Sequence, residues 1–263
     1  AIGMQPDRYF VRVGADIPVH GVLRFNELAA ARAAEAAGVS PAIVHAAPGV
    51  LVTEFIEGRT FTAAEVRDPE NLARIVPLLQ RVHREMPRHL RGPVLTFWVF
   101  HVIRDYAATL RDAGHRLVGD LPRLLESAER LERAVGPIDL VIGHNDQLPS
   151  NFIDDGSRLW LVDWDYAGFN SPLFDLGGLA SNNELPPEQE RELLTRYFGA
   201  PPDAGLLRRY GAMKCGSLLR EALWSMVSEV HSTLDFDYRA YTAENLRRFE
   251  AAWDAFQQEE GLR

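Results

Sequence analysis

The stretch from Gly143 to Gly168, GHNDQLPSNFIDDGSRLWLVDWDYAG, sets aspartates and two asparagines beside two short apolar runs, and no other part of the chain constrains the fold as much. The runs DLVIG and RLWLVDW read as short strands joined by a polar loop and the turn signal DDGS. Apolar residues anchor such strands, so their ends can present carboxylates to a cleft. The loop after VIG supplies Asp146 and, five residues later, Asn151. The second strand ends with Asp163, and Asp165 follows on the same face if the backbone stays extended. An acid, an amide and two more acids then converge. That set suits Mg²⁺, which prefers oxygen ligands, keeps waters and takes few protein carboxylates beside substrate phosphates. Phosphoryl transfer is the chemistry implied: one carboxylate receives the proton of an attacking hydroxyl while the others hold the metal. A lone Asp or Asn in a loop is usually a turn former. Two spaced clusters in order on a strand-loop-strand unit outweigh that reading.

The rest of the chain divides around this unit. The run RYFVRV is β-rich, RFNELAAARAAEAAG is an Ala-rich helix ending at Gly38, and GVLVTEFIEG returns to β character. From about Pro69 the pattern is helical, with apolar residues three to four apart and breaks at Gly or Pro; Pro77 is expected to kink the first of these helices. Helices resume after the acidic unit, the stretch from Asp203 to Val230 reading as one helix or a close pair. The expected fold class is α+β. A small lobe spans residues 1–58, and a larger, mainly helical lobe spans 59–263, joined near EFIEGRT.

Charge and composition exclude several classes. With 37 acidic against 28 basic residues, the net charge of −9 opposes contact with phosphate backbones or anionic membranes, so nucleic acid is not an expected partner. No apolar run approaches the roughly 20 residues of a spanning helix, and no signal-peptide pattern opens the chain, so a cytoplasmic location without membrane insertion is expected. The single Cys215 cannot form an internal disulfide and reads as a small buried apolar residue. His83, His101 and His231 lie on helical patterns without metal spacing and read as surface or core-edge residues.

The runs GHNDQLPSNFI, LWLVDWDYAG and PLFDLG together resemble the catalytic core of choline/ethanolamine kinases and the wider aminoglycoside phosphotransferase group, relatives of protein kinases. The resemblance implies a two-lobed protein-kinase-like fold, with a small sheet and one main helix in the first lobe. It implies ATP and Mg²⁺ as cofactors, Asp146 as catalytic base, Asn151 and Asp163 as metal ligands, and Asp165 as a neighbouring acid aiding metal or substrate. His144 and Asn145 shape the loop, and Asp175 braces it. In the small lobe Arg12 stands where relatives put a cation over the phosphates, with Glu27 as its helix partner; the backbone from Glu54 to Ile56 faces adenine. A glycine-rich hairpin is implied just before YFVRV, where AIGMQPDR is too short to form it. The expectation is that phosphate-loop residues are missing from this sequence.

The acceptor follows from the same resemblance. The resemblance implies aromatic residues that enclose a quaternary ammonium by cation–π attraction, and Trp224 and Tyr241 fit that pattern. Glu221 stands where eukaryotic members carry a second Trp, and Asn182 and Asn183 extend the rim. Choline or ethanolamine is the first expectation. Other acceptors on the same fold (an aminoglycoside, thiamine or a sugar) and a catalytically silent nucleotide-binding module are the alternatives.

Overall fold

The structure is a computed structural model that describes residues 8–261, and the expectation of a missing phosphate loop concerns a region outside them. The described chain opens with β1 (Tyr9–Val13), α1 (Arg24–Ala36), β2 (Ile43–Ala47) and β3 (Val50–Glu54). The three strands form an antiparallel sheet in the order β1-β3-β2, in register from Tyr9 opposite Glu54 to Val13 opposite Val50. Pro48 and Gly49 close the β2–β3 hairpin; Gly49 takes the positive φ of 75° that a tight turn demands. Helix α1 buries Ala30, Ala31, Ala33 and Ala34, whose small side chains let it lie close to β2 and to α3 (Pro69–His89).

The remaining elements follow in order: β4 (Arg59–Thr60), α2 (Ala63–Val66), α3, α4 (Val99–Asp112), α5 (Leu121–Val135), β5 (Val141–Gly143), β6 (Phe152–Asp154), β7 (Leu159–Leu161), β8 (Gly168–Asn170), α6 (Pro172–Asn183), α7 (Pro187–Phe198), α8 (Ala204–His231) and α9 (Tyr238–Gly261). Local sequence explains their starts. Thr62 and Glu65 form a reciprocal capping box on α2, Asp68 caps α3 ahead of Pro69, Ser171 caps α6 ahead of Pro172, and Asp203 caps α8. Helix α3 continues through Pro77 as one element to His89. Residues 204–231 form a single helix, which settles the choice between one helix and a pair.

Helix α8 is the axis of the larger lobe, in contact with α4, α5, α6 and α9. Close approach there depends on missing side chains. A Cβ on Gly177 of α6 would stand 3.0 Å from the Lys214 main chain, and one on Gly216 would stand 3.3 Å from the Phe100 ring. Around this axis Phe100, Tyr106, Leu110, Leu121, Leu124 and Phe249 are fully buried, each contributing roughly 1.5–3 kcal/mol of transfer free energy. No helix among the described residues is long and apolar enough to cross a membrane.

The acidic unit is divided between two small sheets. Strand β5 pairs with β8, and β7 pairs with β6, whose other edge carries β4. The two expected strands are therefore not partners. Three-residue strands such as FID and GFN are too short to show alternation, which is why β6 and β8 leave little trace in the sequence. The DDGS turn closes the β6–β7 hairpin, with Asp155 accepting from the main-chain N–H groups of Ser157 and Arg158 and from the Trp160 indole. Asp154 is held by both terminal nitrogens of Arg74, at 2.8 and 2.7 Å. These two aspartates belong to the scaffold.

Candidate active site

The loop after β5 is built backwards from a buried carboxylate. Asp175, in the first turn of α6, accepts the main-chain N–H of His144 at 2.9 Å and of Asn145 at 2.7 Å. It also receives His83 Nε2 of α3 at 2.8 Å, and the His83 ring is joined at 2.7 Å to the Tyr197 hydroxyl. Burial alone would raise the Asp175 carboxyl; these bonds and the nearby His83 and His144 rings outweigh it and hold the group below the usual carboxylate range. Gly143 is required by space, since a Cβ there would stand 2.7 Å from Asn145 Oδ1.

His144 and Asn145 then lock the loop to the segment after β7. Asn145 takes a left-handed backbone, φ 65°, which asparagine tolerates better than most residues. Its side chain donates to Tyr166 O at 2.9 Å and accepts from Asn170 Nδ2 at 3.1 Å. His144 Nε2 stands 2.9 Å from Val162 O, and its Nδ1 stands 3.3 Å from Asp146 N, so the ring bridges the two segments. Asn151 Nδ2 donates to Asp146 O at 2.9 Å and stands 3.5 Å from Asp146 Oδ2, and Val162 N donates to Asn151 O at 3.0 Å. Asp146, Asn151 and the residue after Val162, Asp163, are thereby brought to one place.

Burial dominates the electrostatics of this place. The Asp146 carboxyl is pushed up to about 6, first by burial, with Arg220 and His144 opposing and Glu221 and Asp163 adding to the rise. Asp163 is raised as well, by burial and then by Asp165. No group of three His, Cys, Asp or Glu side chains with metal-holding geometry occurs among the described residues. The donor set is an amide oxygen and a carboxylate, which fits Mg²⁺ in its usual mode, completed by water and substrate phosphates.

Asp165 departs from expectation. The backbone is not extended here: β7 ends at Leu161, Asp163 has φ 70°, and a turn follows. Asp165 instead meets Arg24 Nη1 at 2.6 Å, the same nitrogen that meets Glu27 at 2.8 Å. Its carboxylate links the acidic segment to α1.

Between the sheet of the small lobe and this segment lies a cavity of about 430 Å³, lined by Phe10, Arg12, Glu27, Ile56, Asn151 and Asp163 among others. The Arg12 guanidinium forms a two-pronged pair with Glu27, Nε donating at 2.7 Å and Nη2 to the second oxygen. Glu54 also lines the cavity. Of the connecting backbone, Glu54 N donates to Ala42 O and Phe55 N to Arg8 O, whereas Ile56 N has no partner among the described residues.

The side of Asp146 turned toward α8 holds the residues expected to receive an acceptor. A small cavity of about 10 Å³ touches Asp146, Gln147, Asn182, Ser217, Arg220 and Glu221. Glu221 accepts from the Tyr241 hydroxyl at 2.8 Å and from Arg220 Nη1 at 3.1 Å. Trp224 is packed within a ring cluster: His20 lies tilted against it at 31° with ring centres 5.1 Å apart, Tyr238 and Tyr241 flank it, and its Nε1–H donates to the Tyr166 hydroxyl at 2.9 Å. Asn183 is not at a rim. It is fully buried, and its Nδ2 donates to Leu179 O and Gln147 O, tying α6 to the loop after Asp146.

Several contributors to the site were not read from the sequence. Tyr166 lies three residues after Asp163 in a stretch already singled out, and Arg220 directly precedes Glu221; adjacency was the available signal. His83 and His20 gave none, because their partners Asp175 and Trp224 are 92 and 204 positions away in the chain. His83 is 3% exposed and tied to Asp175, so the surface or core-edge reading of this residue is corrected.

Comparison with known proteins meets this geometry. The choline/ethanolamine kinase family matches residues 3–183, well over half of the chain. The chain belongs to that family. Family relatives include the LicA proteins of Haemophilus influenzae, 28% identical over 178 residues, 66% of this chain and 50% or 64% of the LicA chains. Mouse ethanolamine kinase 2 is 25% identical over 265 residues, covering 89% of this chain and 67% of the relative. The chain thus spans about half to two thirds of the length of these relatives. A choline/ethanolamine kinase family protein from Mesorhizobium loti superposes with a TM-score of 0.82 at 29% identity, over 97% of this chain and 85% of the other. The fold is the two-lobed, protein-kinase-like α+β fold that family shares.

Proposed function

We propose that the protein transfers the γ-phosphoryl group of ATP to the hydroxyl of a small cationic amino alcohol, choline or ethanolamine, with Mg²⁺. The observation that carries this reading is the meeting of Asp146, Asn151 and Asp163 between a large cleft toward the small lobe and a carboxylate-bearing pocket beside α8. The names of the relatives, kinases of choline or ethanolamine, agree with it.

In this reading the cleft takes the nucleotide, with Ile56 N–H toward the adenine and Arg12, held by Glu27, toward the phosphates. Asn151 and Asp163 hold Mg²⁺, which when bound offsets charge on the transferring phosphoryl group. Asp146 accepts the proton of the acceptor hydroxyl as its oxygen bonds to the γ-phosphorus and the bond to the ADP oxygen breaks. Glu221 attracts the cationic head at the far end of the acceptor. His144, Asn145 and Asp175 keep Asp146 fixed, so little reorganisation is left for the reaction itself. Asp165, paired with Arg24, holds α1 and with it the Arg12–Glu27 pair in place.

Acceptor-dependent release of ADP across a panel of choline, ethanolamine, an aminoglycoside, thiamine and a sugar tests the proposal. Release with an amino alcohol and Mg²⁺ is the expected result. Release only with an aminoglycoside, thiamine or the sugar refutes the acceptor, and ATP binding without release under any condition refutes the transfer.

A further inference from the structure

The aromatic faces beside Asp146 already have cations or rings on them. Arg220 is 5% exposed, and its guanidinium carbon stands 4.4 Å from the centre of the Tyr166 ring and 5.6 Å from that of Phe97. Burial opposes its charge, but Tyr106, Tyr166, Glu221 and Asp146 around it more than compensate, so it stays protonated. Its Nη1 reaches Glu221, while Nε and Nη2 have no hydrogen-bond partner. Trp224 has His20 tilted against it, ring centres 5.1 Å apart, and His20 is itself fixed by Ser228 Oγ at 3.2 Å and the Tyr106 hydroxyl at 3.3 Å. A quaternary ammonium is held mainly by the faces of aromatic rings, since it has no N–H to donate. One face of Tyr166 carries the chain's own Arg220, and His20 lies against Trp224.

The groups left beside Asp146 are hydrogen-bonding ones. The small cavity there touches Glu221, Asn182 and Ser217, and the Gln147 side chain, 1% exposed, has neither its amide nitrogen nor its oxygen paired. A carboxylate and amide oxygens reward a cation that donates N–H bonds; a trimethylammonium would desolvate them and leave them unpaired.

Resting on the phosphotransfer reading above, we infer that Arg220 and His20 set acceptor selectivity, filling the π-faces a quaternary ammonium would need, so that the site selects amino alcohols bearing N–H, primary amines above all. Selectivity arises both from contacts offered to N–H and from faces denied to N-methyl groups.

The test uses the full chain with ethanolamine, N-methylethanolamine, N,N-dimethylethanolamine and choline, each measured by acceptor-dependent ADP release and, separately, by calorimetric binding. The expected result is a kcat/KM that falls with each methyl, about tenfold or more from ethanolamine to choline, with binding in the same order. His20→Ala uncovers Trp224 and Arg220→Met frees the Tyr166 face; each is expected to raise the choline-to-ethanolamine ratio at least about threefold. His20→Ala leaves the buried charges untouched and carries the test alone if Arg220→Met does not fold. Choline used or bound as well as ethanolamine overturns the inference, as does a ratio that His20→Ala leaves unmoved. Amine binding in the stated order without any phosphoryl transfer supports the selectivity and refutes the kinase reading, so the two fail separately.

Discussion

Asp146 stands where it does because Asp175, behind it, accepts both main-chain N–H groups of His144 and Asn145 while His83 holds Asp175 from the other side. Two substitutions separate chemistry from scaffold. Asp146→Asn keeps the shape and removes the base, so kcat for acceptor-dependent ADP release should fall by about 10²–10⁴-fold with nucleotide affinity, measured by titration, nearly unchanged. His83→Ala strips a partner from a buried carboxylate and should cost about 3–5 kcal/mol in chemical unfolding; unchanged stability would refute the bracing role. Much of this site was legible in the sequence. Asp146, Asn151, Asp163 and Asp175 stand in contiguous motifs, and the structure brings the first three together. The same-face placement of Asp165 assumed extended backbone, and Asp163 turns instead to φ 70°, although Asp165 still lines the cleft beside Asn151 and Asp163. Asn183 was misread because an asparagine near a pocket looks the same in a sequence whether it faces a ligand or a carbonyl.

Helices were easier to foresee than strands, for a reason visible in α3, α5 and α8. Long runs opened by Asp or Pro, amphipathic in α3 and α5, state their starts and their length, whereas β5, β6, β7 and β8 are three residues each, and their pairing is decided by tertiary packing. Gly58 shows how tight that packing is: a Cβ there would meet Asp154 O at 2.6 Å, where β4 lies against β6. Gly58→Ala should therefore destabilise the chain by about 1–3 kcal/mol, read from denaturant midpoints. On α8, Glu229 is 7% exposed and accepts from Arg116 Nε and Nη2, each at 2.9 Å, and from His115 Nε2 at 3.2 Å. Burial would raise its carboxyl, but these bonds outweigh burial and bring it down to about 2 from an unfolded 4.5. A depressed folded value means stabilisation that is complete above pH 4.5 and lost as pH falls toward 2, on the order of 3 kcal/mol in all. Glu229→Gln should lower stability at pH 7 and converge with the unaltered chain in acid; a constant difference across pH would contradict the assignment.

At the scale of the whole molecule, the two sides of the cleft are tied by a short charged chain, Arg12–Glu27–Arg24–Asp165, that runs from β1 through α1 to the segment after β7. Glu27 is raised by burial first and then drawn down by Arg24, which marks the pair as part of the interior rather than a surface ornament. Arg24→Met should loosen this chain, weakening nucleotide binding more than acceptor binding, as two calorimetric titrations would show. The sequence disclosed both ends, Arg12 and Asp165, but not Arg24, which meets Asp165 from 141 positions away in the chain. The decisive measurement is a crystal structure of the protein with Mg²⁺, a non-hydrolysable ATP analogue and ethanolamine. The expected result is a metal about 2.0–2.1 Å from oxygens of Asn151 and Asp163, with the acceptor hydroxyl about 2.6–3.2 Å from Asp146. A metal held elsewhere, or a hydroxyl out of reach of Asp146, would contradict the reading.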